Sequence, residues 1–136
     1  MQIQLAVNGT LMRGLELNHN LLELGGVFVK ETHTAPSYRL WSIDDCYPAM
    51  QRCSSGGSIS LEIWSLESSQ LGELLNREPA GLSLGKILLA DNHEVLGILG
   101  ESYLCEGKQE ITQFGGWREY TKILSSACRK APQKEC

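Results

Sequence analysis

The sequence lacks a long apolar run, a secretion signal and an excess of basic residues. No stretch approaches the roughly 20 apolar residues that span a bilayer, and the N-terminus opens on a strand pattern instead of a basic and then apolar leader. The 12 basic residues are outnumbered by 16 acidic ones, which gives a formal net charge of −4. Because a nucleic-acid binder needs a basic face, these absences argue against nucleic-acid and membrane partners and predict a cytoplasmic protein.

The five cysteines form no CxxC pair, and no group of cysteines and histidines has zinc-finger spacing. We therefore predict neither a metal site nor a cofactor. The cysteine count is odd and no secretion signal is present, so a disulfide framework is not expected, and a bridge between Cys46 and Cys53 across a loop is disfavoured. A catalytic pair of cysteine and histidine stays open, but no local sequence supports one.

The composition fits one globular domain of class α+β. The chain has 136 residues, of which 42% are hydrophobic and 21% charged. Alternating apolar residues and turn residues predict six strands, at 3–7, 27–34, 38–43, 58–66, 84–90 and 94–99. Short helices are expected at 19–24, at 68–75 and from about 116 to Cys128, and residues 44–57 read as a polar loop. Because strands and helices do not alternate, we predict a strongly curved sheet or small barrel in a single domain over 1–128, with a polar tail over 129–136.

The stretch from Leu5 to His19 places the most potential chemistry close together. The strand breaks at Asn8-Gly9, a pair typical of tight turns, and Asn18 stands where it can cap a short helix. A loop of this kind exposes several backbone N–H groups together, and such a cluster attracts an anion. The imidazole of His19 follows a few residues later. The alternative is that the pair forms only a turn and His19 is a surface residue.

Five motifs occur in order along the chain: LAVNGTLMRGLELNHNL at 5–21, TAPSYRLW at 34–41, SISLEIWSL at 58–66, PAGLSLGKILLADN at 79–92 and ITQFGGWREY at 111–120. In this combination, residues 3–124 resemble the C-terminal domain of allophanate hydrolase. The resemblance implies a fold similar to that of γ-glutamylcyclotransferases: a small β-barrel flanked by short helices, with a carboxylate-binding cavity. The loop Asn8–Met12 then takes the place of the cyclotransferase substrate loop.

The resemblance also implies a chemistry. In allophanate hydrolase an amidase domain deaminates allophanate, and the C-terminal domain is assigned the breakdown of N-carboxycarbamate. The histidine that matches His19 is that family's candidate acid or base. Cyclotransferases carry a general-base glutamate in the segment that corresponds to 76–81, where this chain has Glu78 immediately before Pro79 and slightly out of register. We interpret Glu78 as a surface loop acid, which argues against cyclotransferase activity.

A small dianionic substrate needs convergent donors. The predicted catalytic residue is His19, which titrates in the range that protonation of a substrate nitrogen requires. The predicted ligand-binding residues supply backbone or side-chain donors and are Asn8, Gly9, Thr10, Leu11, Met12, Tyr38, Arg39, Gly115 and Gly116. Strand alternation lets only one of Tyr38 and Arg39 face the cavity. A surface ion pair for Arg39 and a packing corner for Gly115-Gly116 are the alternatives.

Two functions from different classes follow. The first is an enzyme, a free-standing relative of the allophanate hydrolase C-terminal domain that binds a small carboxylated urea derivative and decarboxylates N-carboxycarbamate. The second is a non-catalytic subunit that keeps the carboxylate cavity and partners a separate amidase. The sequence leaves open whether the chain forms a homodimer.

Overall fold

Short helices and strands follow one another through residues 1–127, which are the residues that the computed structural model describes. The strands of this part are β1 Gln2–Val7, β2 Val27–His33, β3 Tyr38–Ile43, β4 Tyr47–Arg52, β5 Ser60–Glu67, β6 Leu82–Leu88, β7 Glu94–Gly100 and β8 Gln109–Glu110. Its α-helices are α1 Asn18–Glu23, α2 Leu71–Asn76, α3 Ser102–Cys105 and α4 Trp117–Ala127. The predicted tail over 129–136 and the helix end at Cys128 lie outside the described residues.

The strands form two sheets. The larger has the order β2-β5-β1-β7-β6, and the smaller has the order β4-β3-β8. Strand β1 lies in the middle of the larger sheet, antiparallel to β5 and parallel to β7. The α+β class is therefore confirmed. The central position of β1 brings the end of this strand, and the loop that follows it, against strands from both halves of the sheet.

The larger sheet curls, but it does not close into the predicted barrel. Its two edge strands meet at one end through a single bridge between Thr34 and Leu89. There the Ala35 N–H donates to Leu88 O at 3.0 Å and the Ala90 N–H donates to His33 O at 3.1 Å. The pairing between these edges is confined to that end, so the sheet remains open along the rest of β2 and β6.

One hydrophobic core joins the two sheets and α4. Leu5 and Ile63 from the larger sheet, Leu40 and Met50 from the smaller, and Trp117 from α4 belong to the same buried cluster. Full burial of each such aliphatic side chain stabilises the fold by about 1.5–3 kcal/mol. No helix within the described residues is long and apolar enough to cross a lipid bilayer.

Strand β4 lies inside the segment that the sequence predicts as a loop. Pro48 argues against a strand because it has no N–H to donate. The structure accommodates it because β4 is an edge strand of the smaller sheet, where one side of the backbone needs no partner. A tight turn with positive φ at Asp44 and Asp45 leads into β4. Cys53, just after β4, is a free thiol, so it is not bridged to Cys46.

Candidate functional site

The loop after β1 is held against both sheets. The Asn8 side chain is buried, and its amide nitrogen donates to Ile98 O in β7 at 3.0 Å. Gly9 packs against β4, where a Cβ would come within 2.6 Å of Pro48 Cδ. A larger residue at position 9 would therefore push the loop away from Pro48.

The carbonyl groups of Gly9, Thr10 and Leu11 are engaged by the chain that follows. Gly9 O accepts the Met12 N–H and Thr10 O accepts the Leu17 N–H, both at 3.0 Å. Leu11 O accepts the side-chain amide of Asn18 at 2.8 Å. The predicted helix cap by Asn18 is wrong, because α1 begins without a side-chain cap and this amide is used on the loop instead.

The backbone N–H groups of the same residues are not engaged. Gly9, Thr10 and Leu11 are buried, yet residues 1–127 supply no hydrogen-bond acceptor for their amides. Nearly all buried backbone N–H groups in folded proteins are paired, so three consecutive amides without an acceptor among the described residues are candidates to bind a ligand. Several N–H groups together favour an anion.

The residues that carry these amides line a cleft, which we call the loop cleft. It is lined by Val7, Asn8, Gly9, Thr10, Leu11, Tyr47, Pro48, Glu78, Leu82 and Ile98. Its volume is about 20 Å³, which is room for about one water molecule. The predicted cavity beside the loop is therefore present, although Met12 does not line it.

Glu78 lies in the loop cleft, which corrects its interpretation as a surface loop acid. The residue follows α2, and its N–H donates to Leu75 O at 3.1 Å, so the end of the helix carries the side chain to the cleft. Burial raises the pKa of the Glu78 carboxyl to about 7. Among the described residues this carboxyl has no hydrogen bond or ion pair, so it is available to a ligand. The chain beyond α2 turns back toward the loop, which brings Glu78 into the same cleft lining as Gly9 and Tyr47.

Tyr47 is a cleft residue that the sequence reasoning missed. It lines the loop cleft from β4. Burial, together with the nearby charge of Asp44, raises the pKa of its hydroxyl, so it remains a neutral donor at ordinary pH. The only available signal was a tyrosine inside a segment predicted as a loop, and without β4 its direction was not predictable.

Tyr38 and Arg39 do not line the loop cleft. Tyr38 is fully buried, and its hydroxyl oxygen accepts the Leu88 N–H at 2.8 Å. Arg39 forms a two-pronged ion pair with Glu110, with Nε 3.1 Å from Oε2. The hydrogen bond from Arg39 lowers the pKa of the Glu110 carboxyl. Both side chains therefore have structural partners of their own.

His19 and the glycine pair also lie outside the loop cleft. His19 is exposed on α1, with Nδ1 3.1 Å from Glu16 O. Gly115 has a φ of +83°, which favours glycine, and its carbonyl accepts the Ser60 N–H at 2.8 Å. Gly116 is packed so that a Cβ would come within 3.2 Å of Ser60 Cβ. The pair forms a corner between α4 and β5.

A larger cavity of about 290 Å³ lies on the other side of the loop. It is lined by Met12, Glu31, Thr32, His33, Ser60, Leu61, Glu62, Arg118 and Glu119. Three of the charged groups that line it are already paired, since Glu62 contacts both Arg13 and Arg118, and Glu31 pairs with Arg13. We therefore take the loop cleft, with its unpaired amides and unpaired carboxyl, as the candidate site.

Comparisons with known proteins show which family the chain resembles. Residues 3–122 match the model of the allophanate hydrolase C-terminal domain. Urea amidolyase of Saccharomyces cerevisiae is 27% identical over 141 residues, which cover 98% of this chain and 8% of that protein. The chain thus spans less than a tenth of the length of this relative.

Two solved structures are similar as well. The crystal structure of a protein specific to uropathogenic E. coli superposes with a TM-score of 0.89 at 54% identity, covering 90% of this chain and 97% of that one. A γ-glutamyl cyclotransferase superposes with a TM-score of 0.55 at 11% identity, covering 99% and 90% of the two chains. At that identity the second likeness concerns the fold alone.

Proposed function

Because the chain belongs to the allophanate hydrolase C-terminal domain family, we propose that its loop cleft binds a small carboxylated urea derivative. The observation that carries this proposal is the row of amides at Gly9, Thr10 and Leu11, which are buried residues without an acceptor for these N–H groups among residues 1–127. A carboxylate accepts two or three such bonds, and each hydrogen bond to a charged group contributes about 1.5–3 kcal/mol. A neutral ligand would gain less from the same donors.

The size of the loop cleft limits where the ligand lies. A three-carbon dicarboxylate is larger than the cleft volume of about 20 Å³. We expect one carboxylate to displace the water that fits beside the amides. The rest of the ligand then lies in the open part of the cleft, between Tyr47 and Glu78. Tyr47 donates from its hydroxyl, and protonated Glu78 donates from its carboxyl.

The reaction that fits this site is the decarboxylation of N-carboxycarbamate. One C–N bond breaks, carbon dioxide leaves, and the electron pair stays on nitrogen, which takes a proton to give carbamate. With its pKa raised to about 7, Glu78 carries that proton near neutral pH and lines the cleft. A positioned general acid accelerates such a step by roughly 10²–10⁴-fold. His19, the candidate from the sequence, does not line the cleft and is tested beside Glu78.

Calorimetric titration with malonate, a stable mimic of the substrate, tests the binding site. Wild type is expected to bind, and Gly9→Ala to bind at least tenfold more weakly because its Cβ would clash with Pro48. Arg39→Gln is the matched control, since Arg39 was a sequence candidate that lies in an ion pair elsewhere. No binding by folded wild type, or equal binding by Gly9→Ala, would count against the loop cleft.

Turnover is tested by coupling the protein to a separate amidase that supplies N-carboxycarbamate from allophanate. The observable is ammonia released per allophanate consumed, compared with a control without the protein. We expect Glu78→Gln to lose most of the protein-dependent release and His19→Asn to keep it. The reverse result would make His19 the proton donor. Equal release with and without wild type would leave the non-catalytic carboxylate-binding function, in partnership with an amidase.

A further inference from the structure

Glu62 is a carboxylate on an inner strand of the larger sheet. It lies in β5 opposite Val7 of β1 and Glu31 of β2. Only 2% of its surface is exposed. A carboxylate is almost never buried to this extent unless charged and hydrogen-bonded partners surround it. The identity of those partners indicates what Glu62 does.

Both oxygens of Glu62 are fully used. Oε1 accepts the Arg13 backbone N–H at 2.9 Å and the Trp64 indole N–H at 3.1 Å. Oε2 accepts Arg13 Nε–H at 3.2 Å and Arg118 Nη2–H at 3.3 Å. Two of these four bonds go to one residue, Arg13, which the carboxylate holds by main chain and side chain together.

Arg13 is the residue immediately after the loop Asn8–Met12, and Val7 is the residue immediately before it. Val7 pairs with Glu62 in the β-ladder, and the Arg13 N–H bonds to the Glu62 carboxylate. The two ends of the loop therefore meet at one residue.

The remaining contacts of Arg13 strengthen this closure. Its carbonyl oxygen accepts Arg118 Nη2–H from α4 at 3.0 Å. Its guanidinium pairs with Glu31 and lies 3.6 Å from the centre of the Phe28 ring. Such a stacked, paired arginine has few alternative positions.

We propose that Glu62 is a positioning residue for the loop cleft: by closing the base of the loop, it directs the amides of Gly9, Thr10 and Leu11 toward the ligand. This inference rests on the proposed function. A loop of five residues whose ends are fixed at one carboxylate has little freedom to turn its amides away. Arg118 takes part as the second attachment, because it holds both Glu62 and the carbonyl of Arg13.

Glu62→Gln tests the inference. The glutamine keeps the shape of the side chain, but one of its two acceptors becomes a donor, which faces N–H groups of Arg13, Trp64 or Arg118. Arg118→Gln is the milder variant, since this half-buried side chain is at the surface and the fold should survive its replacement. Ile111→Ala is the control, because Ile111 is fully buried and lines neither cavity. Truncating its side chain should destabilise the core without touching the loop.

The readouts are malonate affinity and the ¹⁵N order parameters of the three loop amides, measured well below the melting temperature of every variant. We expect Glu62→Gln to bind malonate at least tenfold more weakly, with order parameters falling from about 0.85 toward 0.6. Arg118→Gln should show a smaller change in the same direction. Ile111→Ala should match wild type in both readouts despite its lower stability.

The outcomes separate this inference from the proposed function. If Gly9→Ala weakens malonate binding but Glu62→Gln and Arg118→Gln bind as wild type does, the positioning role is overturned and the loop cleft stands. If wild type binds no malonate, the proposed function fails, and the order parameters alone decide: unchanged values in Glu62→Gln overturn the positioning role. A loss of affinity in Ile111→Ala equal to that in Glu62→Gln would also overturn it, because general destabilisation would then explain both.

Discussion

Replacing Glu78 by glutamine should change the pH dependence of stability in a defined direction. Burial raises the pKa of this carboxyl from the usual value of 4.5 to about 7. Between these two values the folded protein holds a proton that the unfolded chain has released, so the free energy of unfolding falls as pH rises. Below the lower value Glu78 is protonated in both the folded and the unfolded state, so it adds no pH dependence to the stability. Above about pH 7 it is ionised in both states, and the folded protein bears the full free-energy cost of ionising it in the cleft.

The magnitude follows from the same two values. Each tenfold change in an ionisation constant corresponds to about 1.4 kcal/mol, so the cost approaches roughly 3 kcal/mol at pH 8. Glutamine is neutral throughout. We therefore expect Glu78→Gln to have the stability of wild type near pH 4.5 and to be more stable by up to about 3 kcal/mol at pH 8.

Urea unfolding at half-unit steps from pH 4.5 to 8.5 measures this difference, provided that the buffers contain no dicarboxylate. Glu94→Gln serves as a control, because Glu94 is an exposed acid at the start of β7. A difference between Glu78→Gln and wild type that stays constant with pH would refute the reasoning. Glu78 would then ionise as it does in water, and its place in the loop cleft would be wrong.

Three further predictions concern the cleft and the core. Malonate affinity, measured by calorimetry, should fall as pH rises past about 7 in wild type, because ionised Glu78 repels the anion, and should be flat in Glu78→Gln. Tyr38→Phe should cost about 1–3 kcal/mol in urea unfolding, since the Leu88 N–H loses its buried acceptor, with malonate affinity unchanged. Gly97→Ala should lower the melting temperature, because its Cβ would come within 2.9 Å of Ala6 O and 2.3 Å of Ile87 Cδ1; an unchanged melting temperature would contradict the packing described here.

The elements that the sequence predicted are those whose signal is local. The alternation in 58–66 and the apolar run before Asn8-Gly9 identify β5 and β1, although the structure buries both faces of β5 from Leu61 to Trp64. The helix after Asn18 was predicted for the wrong reason. Its side chain serves the loop at Leu11 instead of the helix end, and a local cap and a contact to a residue seven positions earlier look alike in sequence.

The parts of the site that the sequence did not predict depend on contacts between distant segments. Strand β4 was not predicted because Pro48 argues against a strand. Proline is tolerated in an edge strand, but the sequence does not show which strand lies at the edge of a sheet. Without β4, Tyr47 had no predictable direction. Glu78 was judged by its register against another family, yet its position is decided by how the chain after α2 returns to the loop. Arg39 had a carboxylate partner at Glu110, 71 positions away, which no local pattern indicates.

The most direct test of the carboxylate site is a malonate titration followed by the backbone amide resonances. If the unpaired N–H groups hold the ligand, those of Gly9, Thr10 and Leu11 should shift downfield together, by more than any other amides, and fit one dissociation constant. The same amides should stay in place when malonate is replaced by a neutral diamide of the same length. Shifts centred on Arg118 and the larger cavity, with these three amides unmoved, would contradict the site.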